Sequence, residues 1–156
     1  MNTFHSQRRQ LLTSAALLGL TSTGLAFAQA SQSIEVWKDP NCGCCKDWIA
    51  HIEKSGFKVT VKESGNNAVR AGLGVPQKYG SCHTALIRGY VIEGHVPASD
   101  IRRLLKDKPQ ALGLAVPGMR VGSPGMDGPA YGGRRDRYDV LLVLKDGSSK
   151  VFNTYS

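Results

Sequence analysis

Three of the four cysteines in the chain, Cys42, Cys44 and Cys45, lie within four positions. The segment before them, 33–38, alternates apolar and polar residues as a strand does. The segment that follows, 44–55, carries apolar residues at helical spacing. A strand that leads through a cysteine-bearing loop into a helix restricts the fold to architectures with thiols at a helix N-terminus. The positive end of the helix dipole favours thiolates there, so the pattern predicts a reactive or metal-binding sulfur site.

The later segments predict an α/β fold with a thioredoxin-like order of elements, strand-helix-strand-helix-strand-strand-helix. The predicted elements after the first helix are a strand at 57–63, a short helix at 66–71, a hairpin at 84–87 and 90–93, and a helix at 97–106. In thioredoxin-like proteins, a loop just before the third strand faces the cysteine pair and usually ends in a cis-proline. Here this place is occupied by Cys82. We therefore expect all four cysteines to converge on one pocket.

Four converging thiols exceed what disulfide exchange requires. That reaction needs Cys42 as the attacking thiol and Cys45 as the resolving thiol, so Cys44 and Cys82 are surplus to it. Neighbouring thiolates can share metal ions by bridging, which suits Cu(I), a soft ion that accepts low coordination numbers. The sequence favours a copper site in which Cys42, Cys44, Cys45 and Cys82 are the ligands.

Two alternatives remain open from the residues alone. One is a thiol-disulfide oxidoreductase that needs no metal and uses Cys42 and Cys45 as its catalytic pair. The other is a mononuclear zinc site. Structural zinc sites draw pairs of ligands from separated knuckles, whereas this motif directs three sulfurs from one short turn, so zinc is the weaker of the two.

A segment rich in glycine and proline, 108–137, follows the last predicted helix and shows no sustained helical or strand period. Loops this long in a compact domain are usually functional or disordered. It contains Pro-Gly-Met twice, which places the soft thioethers of Met119 and Met126 on tight turns. Either thioether is a candidate copper ligand or lid, and the alternative is that both pack as gap fillers. A final hairpin, at 138–144 and 150–155, is expected to extend the sheet.

The histidines divide by position. His83 directly follows Cys82 and is a candidate ligand or hydrogen-bond partner of a thiolate. His51, two helical turns from the cysteines, and His95, beyond the predicted hairpin, are interpreted as structural.

The N-terminus, residues 1–30, has the pattern of a cleaved export signal, with Arg8-Arg9 before a short apolar stretch and small residues at its end. The arginine pair fits either the twin-arginine or the general secretory route. The apolar run within residues 1–30 is too short to span a bilayer, so no membrane anchor is expected after cleavage. Cleavage takes the net charge from +8 to +6, because it removes two arginines and no acids. The remaining domain, 31–156, is predicted to have a core at about 33–107 and an extension at about 108–156.

Several motifs together resemble the CopG-type periplasmic copper-resistance proteins. The motifs are Asn41-Cys42-Gly43-Cys44-Cys45, Gly80-Ser81-Cys82-His83-Thr84-Ala85, the stretch from Gly89 to Ala98, the stretch from Gly113 to Met119, and Gly122-Ser123-Pro124-Gly125-Met126. The resemblance implies a thioredoxin-like domain with a C-terminal extension, copper bound as a thiolate-bridged cluster of several ions, and interconversion of Cu(I) and Cu(II). We expect a monomer in the periplasm, with copper ions as its ligand and a copper-efflux system or a copper chaperone as its candidate partner. Nucleic-acid binding draws only on net charge and is not expected.

Overall fold

The computed structural model describes residues 32–156, which form a seven-stranded mixed sheet and three α-helices. In chain order these are β1 (Ser33–Lys38), α1 (Gly43–Lys54), β2 (Lys58–Lys62), α2 (Asn67–Gly72), β3 (His83–Ile87), β4 (Tyr90–Glu93), α3 (Ala98–Asp107), β5 (Gly113–Ala115), β6 (Tyr138–Val143) and β7 (Ser149–Tyr155). The α/β prediction is confirmed, and every predicted helix and strand lies within one residue of its expected bounds. The predicted export signal, at 1–30, lies outside the described residues. Within 32–156, no helix has the length and apolar character needed to cross a membrane.

The strand order is β2-β1-β3-β4-β5-β6-β7. β1 runs parallel to β2 and antiparallel to β3, and its last residue, Lys38, pairs with the first residue of β3, His83. The loop that leaves β1 and the loop that enters β3 therefore meet at the same end of the two neighbouring strands. Both cysteine-bearing loops lie at this end of the sheet.

The expectation of an irregular segment at 108–137 is wrong at two places. Residues 113–115 form β5, which is parallel to β4 and antiparallel to β6, and Pro129–Tyr131 form a 3-10 turn. β5 has only three residues, too few to show a period in the sequence. It also contains Gly113, where a Cβ atom would lie 1.8 Å from the carbonyl oxygen of Val91. Only glycine permits this close pairing, which joins the final hairpin to the main sheet.

The helices α1 and α3 pack their apolar residues into the main core with the sheet. Trp48 of α1 is fully buried, and its indole N–H donates to the carbonyl of Val96 at 2.9 Å. His51, one turn later, accepts a hydrogen bond from the backbone N–H of Ala98 at the start of α3. These two bonds tie the middle of α1 to the segment that connects β4 and α3. The position of the cysteine-bearing end of α1 is thereby fixed.

Candidate metal centre

The first turn of α1 presents three of the four sulfur atoms. Cys42 is the N-cap residue, and its backbone N–H donates to the carbonyl of Asp39. Cys45 lies one turn later, fully buried, and forms a disulfide with Cys42. Cys44 is a free, half-buried thiol on the same turn, with its Sγ 3.6 Å from that of Cys42. The start of α1 thus carries one disulfide and one free thiol.

The fourth sulfur comes from the loop that enters β3. The Sγ atom of Cys82 lies 3.4 Å from Cys45 Sγ and 3.8 Å from Cys44 Sγ. All four Sγ atoms lie within 4.8 Å of one another, so the predicted convergence is present in the structure. The peptide bonds of residues 32–156 are all trans, so Cys82 occupies the facing loop without a cis-proline geometry.

Two imidazole rings adjoin the sulfur of Cys82. His95 places its Nε2 3.1 Å from Cys82 Sγ, and His83 places its Nδ1 3.5 Å from the same atom. Both rings are buried, which lowers the pKa of each histidine. They are therefore neutral at neutral pH, with nitrogen lone pairs available to a thiol or a metal.

Hydrogen bonds fix the tautomer of His95. Its Nδ1–H donates to the carbonyl oxygen of Pro124 at 2.8 Å, which leaves Nε2 as the acceptor that faces Cys82. Burial and the neighbouring Cys44 thiol raise the pKa of Cys82 to about 12, so in the metal-free protein Cys82 is a protonated thiol that can donate to Nε2. On the other ring, the buried Nε2 of His83 has no hydrogen-bond partner within the described residues. An unpartnered nitrogen on an imidazole ring that adjoins Cys82 fits a metal ligand.

The sequence interpretation of His95 as structural missed its contact with Cys82. The register of the β3–β4 hairpin would have predicted this contact. A two-residue turn between β3 and β4 pairs Thr84 with Glu93, and continuing that antiparallel register by two residues sets Cys82 opposite His95. The backbone N–H of Gly94 indeed donates to the carbonyl of His83 at 3.0 Å.

A buried polar network holds the Cys82 loop. The carboxylate of Glu93 is fully buried and accepts from the Ser81 backbone N–H at 2.7 Å, from Thr84 Oγ1 at 2.6 Å and from Arg70 Nη1 at 3.3 Å. Arg70 and Asn66 both donate to the Ser81 carbonyl. Burial raises the pKa of Glu93, and the three donors counteract that rise. Ser81, the residue before Cys82, is therefore held at both its backbone N–H and its backbone C=O.

The two Pro-Gly-Met turns of the extension lie against the two cysteine-bearing segments. Gly118 bonds the Cys82 loop, because its N–H donates to Gly80 and its carbonyl accepts from the Ser81 hydroxyl. Gly125 lies on the first turn of α1, where a Cβ atom would come within 2.7 Å of the Cys44 carbonyl oxygen. Both glycines have positive φ, at +72° and +84° respectively, as tight turns require.

The two methionines differ in their surroundings. Met126 is buried, and its thioether accepts a hydrogen bond from the Tyr131 hydroxyl at 3.2 Å. Met119 is 57% exposed to solvent. Both turns therefore lie beside the cysteine-bearing segments, but the thioether of Met126 already has a hydrogen-bond partner in Tyr131.

Three comparisons with known proteins bear on this site. Residues 79–126, which include Cys82, both buried histidines and both methionines, match a family described as "Protein of unknown function, DUF411". Two solved structures of copper resistance protein CopG are each 48% identical to this chain. Form 1 has a TM-score of 0.74 and covers 80% of this chain and 98% of its own, and form 2 has a TM-score of 0.73 and covers 81% and 99%. No curated protein sequence matches the chain.

Proposed function

Since this chain belongs to the CopG family of copper resistance proteins, we propose that it binds Cu(I) in a polynuclear cluster bridged by Cys42, Cys44, Cys45 and Cys82. The observation that carries the proposal is the convergence of four sulfurs, from two segments far apart in the chain, to within 4.8 Å of one another. Sulfurs this close cannot each bind a separate ion. Bridging thiolates and a soft ion of low coordination number satisfy such a geometry.

The neighbouring groups support the same ion. Neutral imidazoles are good copper ligands, and the nitrogens that face Cys82 are His95 Nε2 and His83 Nδ1. Cys82 must lose its proton to bind a metal, so its high pKa in the metal-free state means that copper uptake releases a proton. Met119 and Met126 are proposed as secondary ligands or lid residues, with the exposed thioether of Met119 the more available of the two.

We propose that the Cys42–Cys45 pair also couples thiol redox to the copper oxidation state. The reduced pair gives up two electrons when it closes to the disulfide, which reduces two Cu(II) ions to two Cu(I) ions and releases the thiol protons. The reverse step oxidises two Cu(I) ions and opens the disulfide. Closing the disulfide removes two of the four thiolates, so oxidation weakens copper binding.

The remaining features of the proposal rest on the fold and the family. The disulfide at the start of α1, facing the loop before β3, supports a thioredoxin-like core at about 33–107 with an extension at about 108–156. We further propose that residues 1–30 are a cleaved signal, and that the exported monomer acts in the periplasm beside a copper-efflux system or a copper chaperone.

A second candidate function is thiol-disulfide exchange with periplasmic proteins, without metal. The disulfide at a helix N-terminus, with Cys42 partly exposed, favours it. Such an enzyme would keep its activity when Cys44 is replaced by serine, whereas a copper cluster would lose ions.

An anaerobic Cu(I) titration against a chromophoric chelator tests the proposal. The fully reduced protein is expected to bind more than one ion per chain, and the Cys42–Cys45 disulfide form fewer, because only Cys44 and Cys82 remain as thiols. The two forms have the same sequence and serve as controls for each other. Binding of one ion or none by the reduced protein would contradict the cluster, and so would equal binding by both forms when thiol counting after the titration finds the disulfide still intact.

A further inference from the structure

A cavity of about 430 Å³ lies at the end of the sheet opposite the cysteines. β3 begins beside Cys82 and ends at Ile87, and the next residue, Arg88, lines the cavity. At about 3.3 Å per residue, the strand separates the two places by roughly 15 Å. The cavity is therefore distinct from the candidate metal centre.

Three cationic side chains line this cavity, those of Arg88, Lys108 and Lys145, and no carboxylate does. The nearest acidic residues in the sequence are Asp107 and Asp146. Asp146 uses its Oδ1 to accept from the backbone and the hydroxyl of Ser148, which holds that carboxylate in its own turn. The cavity therefore has an excess of positive charge that its own lining does not neutralise.

The backbone under two of these cations is unusual. Arg88 has φ +49° and Lys108 has φ +48°, and within residues 32–156 they are the only residues other than glycine with positive φ. Arg88 and Gly89 form the two-residue turn between β3 and β4, where Asn-Gly is the favoured pair. Lys108 follows the last turn of α3, where glycine is the common residue. Both positions carry a long cation where a smaller residue would be less strained, and both line the same cavity.

We propose that this cavity binds a small polyanion, a short carbon skeleton that carries two or three carboxylate or phosphate groups. The three cations supply the charge and the hydrogen-bond donors for such groups. The apolar part of the lining includes the buried Leu105 and the ring of Tyr90, whose hydroxyl donates to the Pro109 carbonyl at 2.9 Å. These groups provide a fixed wall for the carbon skeleton. The cavity volume suits a small molecule of this kind.

Two probes, propane-1,2,3-tricarboxylate and pyrophosphate, are titrated into the metal-free protein. Isothermal titration calorimetry measures their affinity, and backbone amide NMR spectra locate the binding site. The amide shifts are expected at 88–90, 108, 110 and 111, and affinity is expected to fall with rising salt. Lys145→Gln is expected to weaken binding at least tenfold, because it removes one of three charge-assisted contacts. Lys106→Gln removes a charge from the same region of α3 outside the cavity and is the matched control.

Two further variants separate binding from folding. Arg88→Asn and Lys108→Gly install the residue types that each backbone position favours, so each is expected to raise Tm by about 3 °C. Each is nevertheless expected to weaken the better probe at least tenfold. The probe whose affinity is higher identifies carboxylate or phosphate as the preferred group. The proposal is overturned if neither probe binds at millimolar concentration, if the neutral triamide of the tricarboxylate binds equally well, or if the three variants bind as the Lys106→Gln control does.

Discussion

Replacing Cys82 by serine is expected to weaken Cu(I) binding by 100-fold or more and to abolish binding of more than one ion per chain. Cys82 is the only cluster sulfur that does not come from the start of α1, and its Sγ contacts Cys44, Cys45 and His95. A hydroxyl is a hard, poorly ionised group that does not bridge Cu(I) ions. A 100-fold loss corresponds to about 2.8 kcal/mol of binding free energy.

The measurement is an anaerobic competition titration against a Cu(I) chelator, with metal counting on the loaded protein. His51→Gln is the matched control. His51 lies on α1 and accepts a hydrogen bond from Ala98 without belonging to the sulfur and imidazole cluster, and glutamine can still accept that bond. Cu(I) binding by Cys82→Ser that equals binding by His51→Gln would show that the facing loop takes no part in the site.

Replacing Glu93 by alanine is expected to lower the free energy of unfolding by about 3–5 kcal/mol, because it leaves the buried guanidinium of Arg70 without its counter-charge. Glu93 is fully buried and Arg70 is 5% exposed. The substitution also removes the acceptor of the Ser81 backbone N–H and the Thr84 hydroxyl. Unpartnered buried donors add to the cost.

Urea unfolding of the metal-free protein measures this effect. Glu35→Ala is the matched control, because Glu35 forms an exposed ion pair with Lys62 in the same sheet and its loss is expected to cost less than about 1 kcal/mol. Glu93→Gln keeps an acceptor oxygen and is expected to fall between the two. If Glu93→Ala costs no more than Glu35→Ala, then the network does not hold the Cys82 loop.

Local patterns predicted most of the fold. The helical spacing of Cys45, Trp48 and Ile52 and the alternation around Val59 and Val61 reflect burial of one face, and a short window of sequence records that burial. The facing position of Cys82 was predicted from the order of the elements together with its resemblance to thioredoxin-like proteins, in which the loop before the third strand faces the cysteine pair. The convergence of the four sulfurs was therefore predicted by analogy with that fold, and the structure places all four within 4.8 Å of one another.

The features that could not be predicted depend on contacts between distant segments. β5 has three residues, and its pairing depends on the close approach of Gly113 to Val91. The burial of Glu93 and Arg70 cannot be inferred from residue type, since most charged residues are exposed. His95 is an intermediate case. The register of the β3–β4 hairpin places it opposite Cys82, but its residue type and its place in the sequence did not indicate that contact. The positive φ of Arg88 and Lys108 contradicts the usual preference for glycine or asparagine at such positions.

X-ray absorption spectroscopy at the copper edge of the reduced, Cu(I)-loaded protein tests whether sulfurs from the two segments share Cu(I) ions. A thiolate-bridged cluster predicts the edge of Cu(I), a first shell dominated by sulfur, and a second shell of copper scatterers that reports bridged ions. A first shell composed only of nitrogen and oxygen, or a sulfur shell with no copper neighbour at full loading, would contradict it.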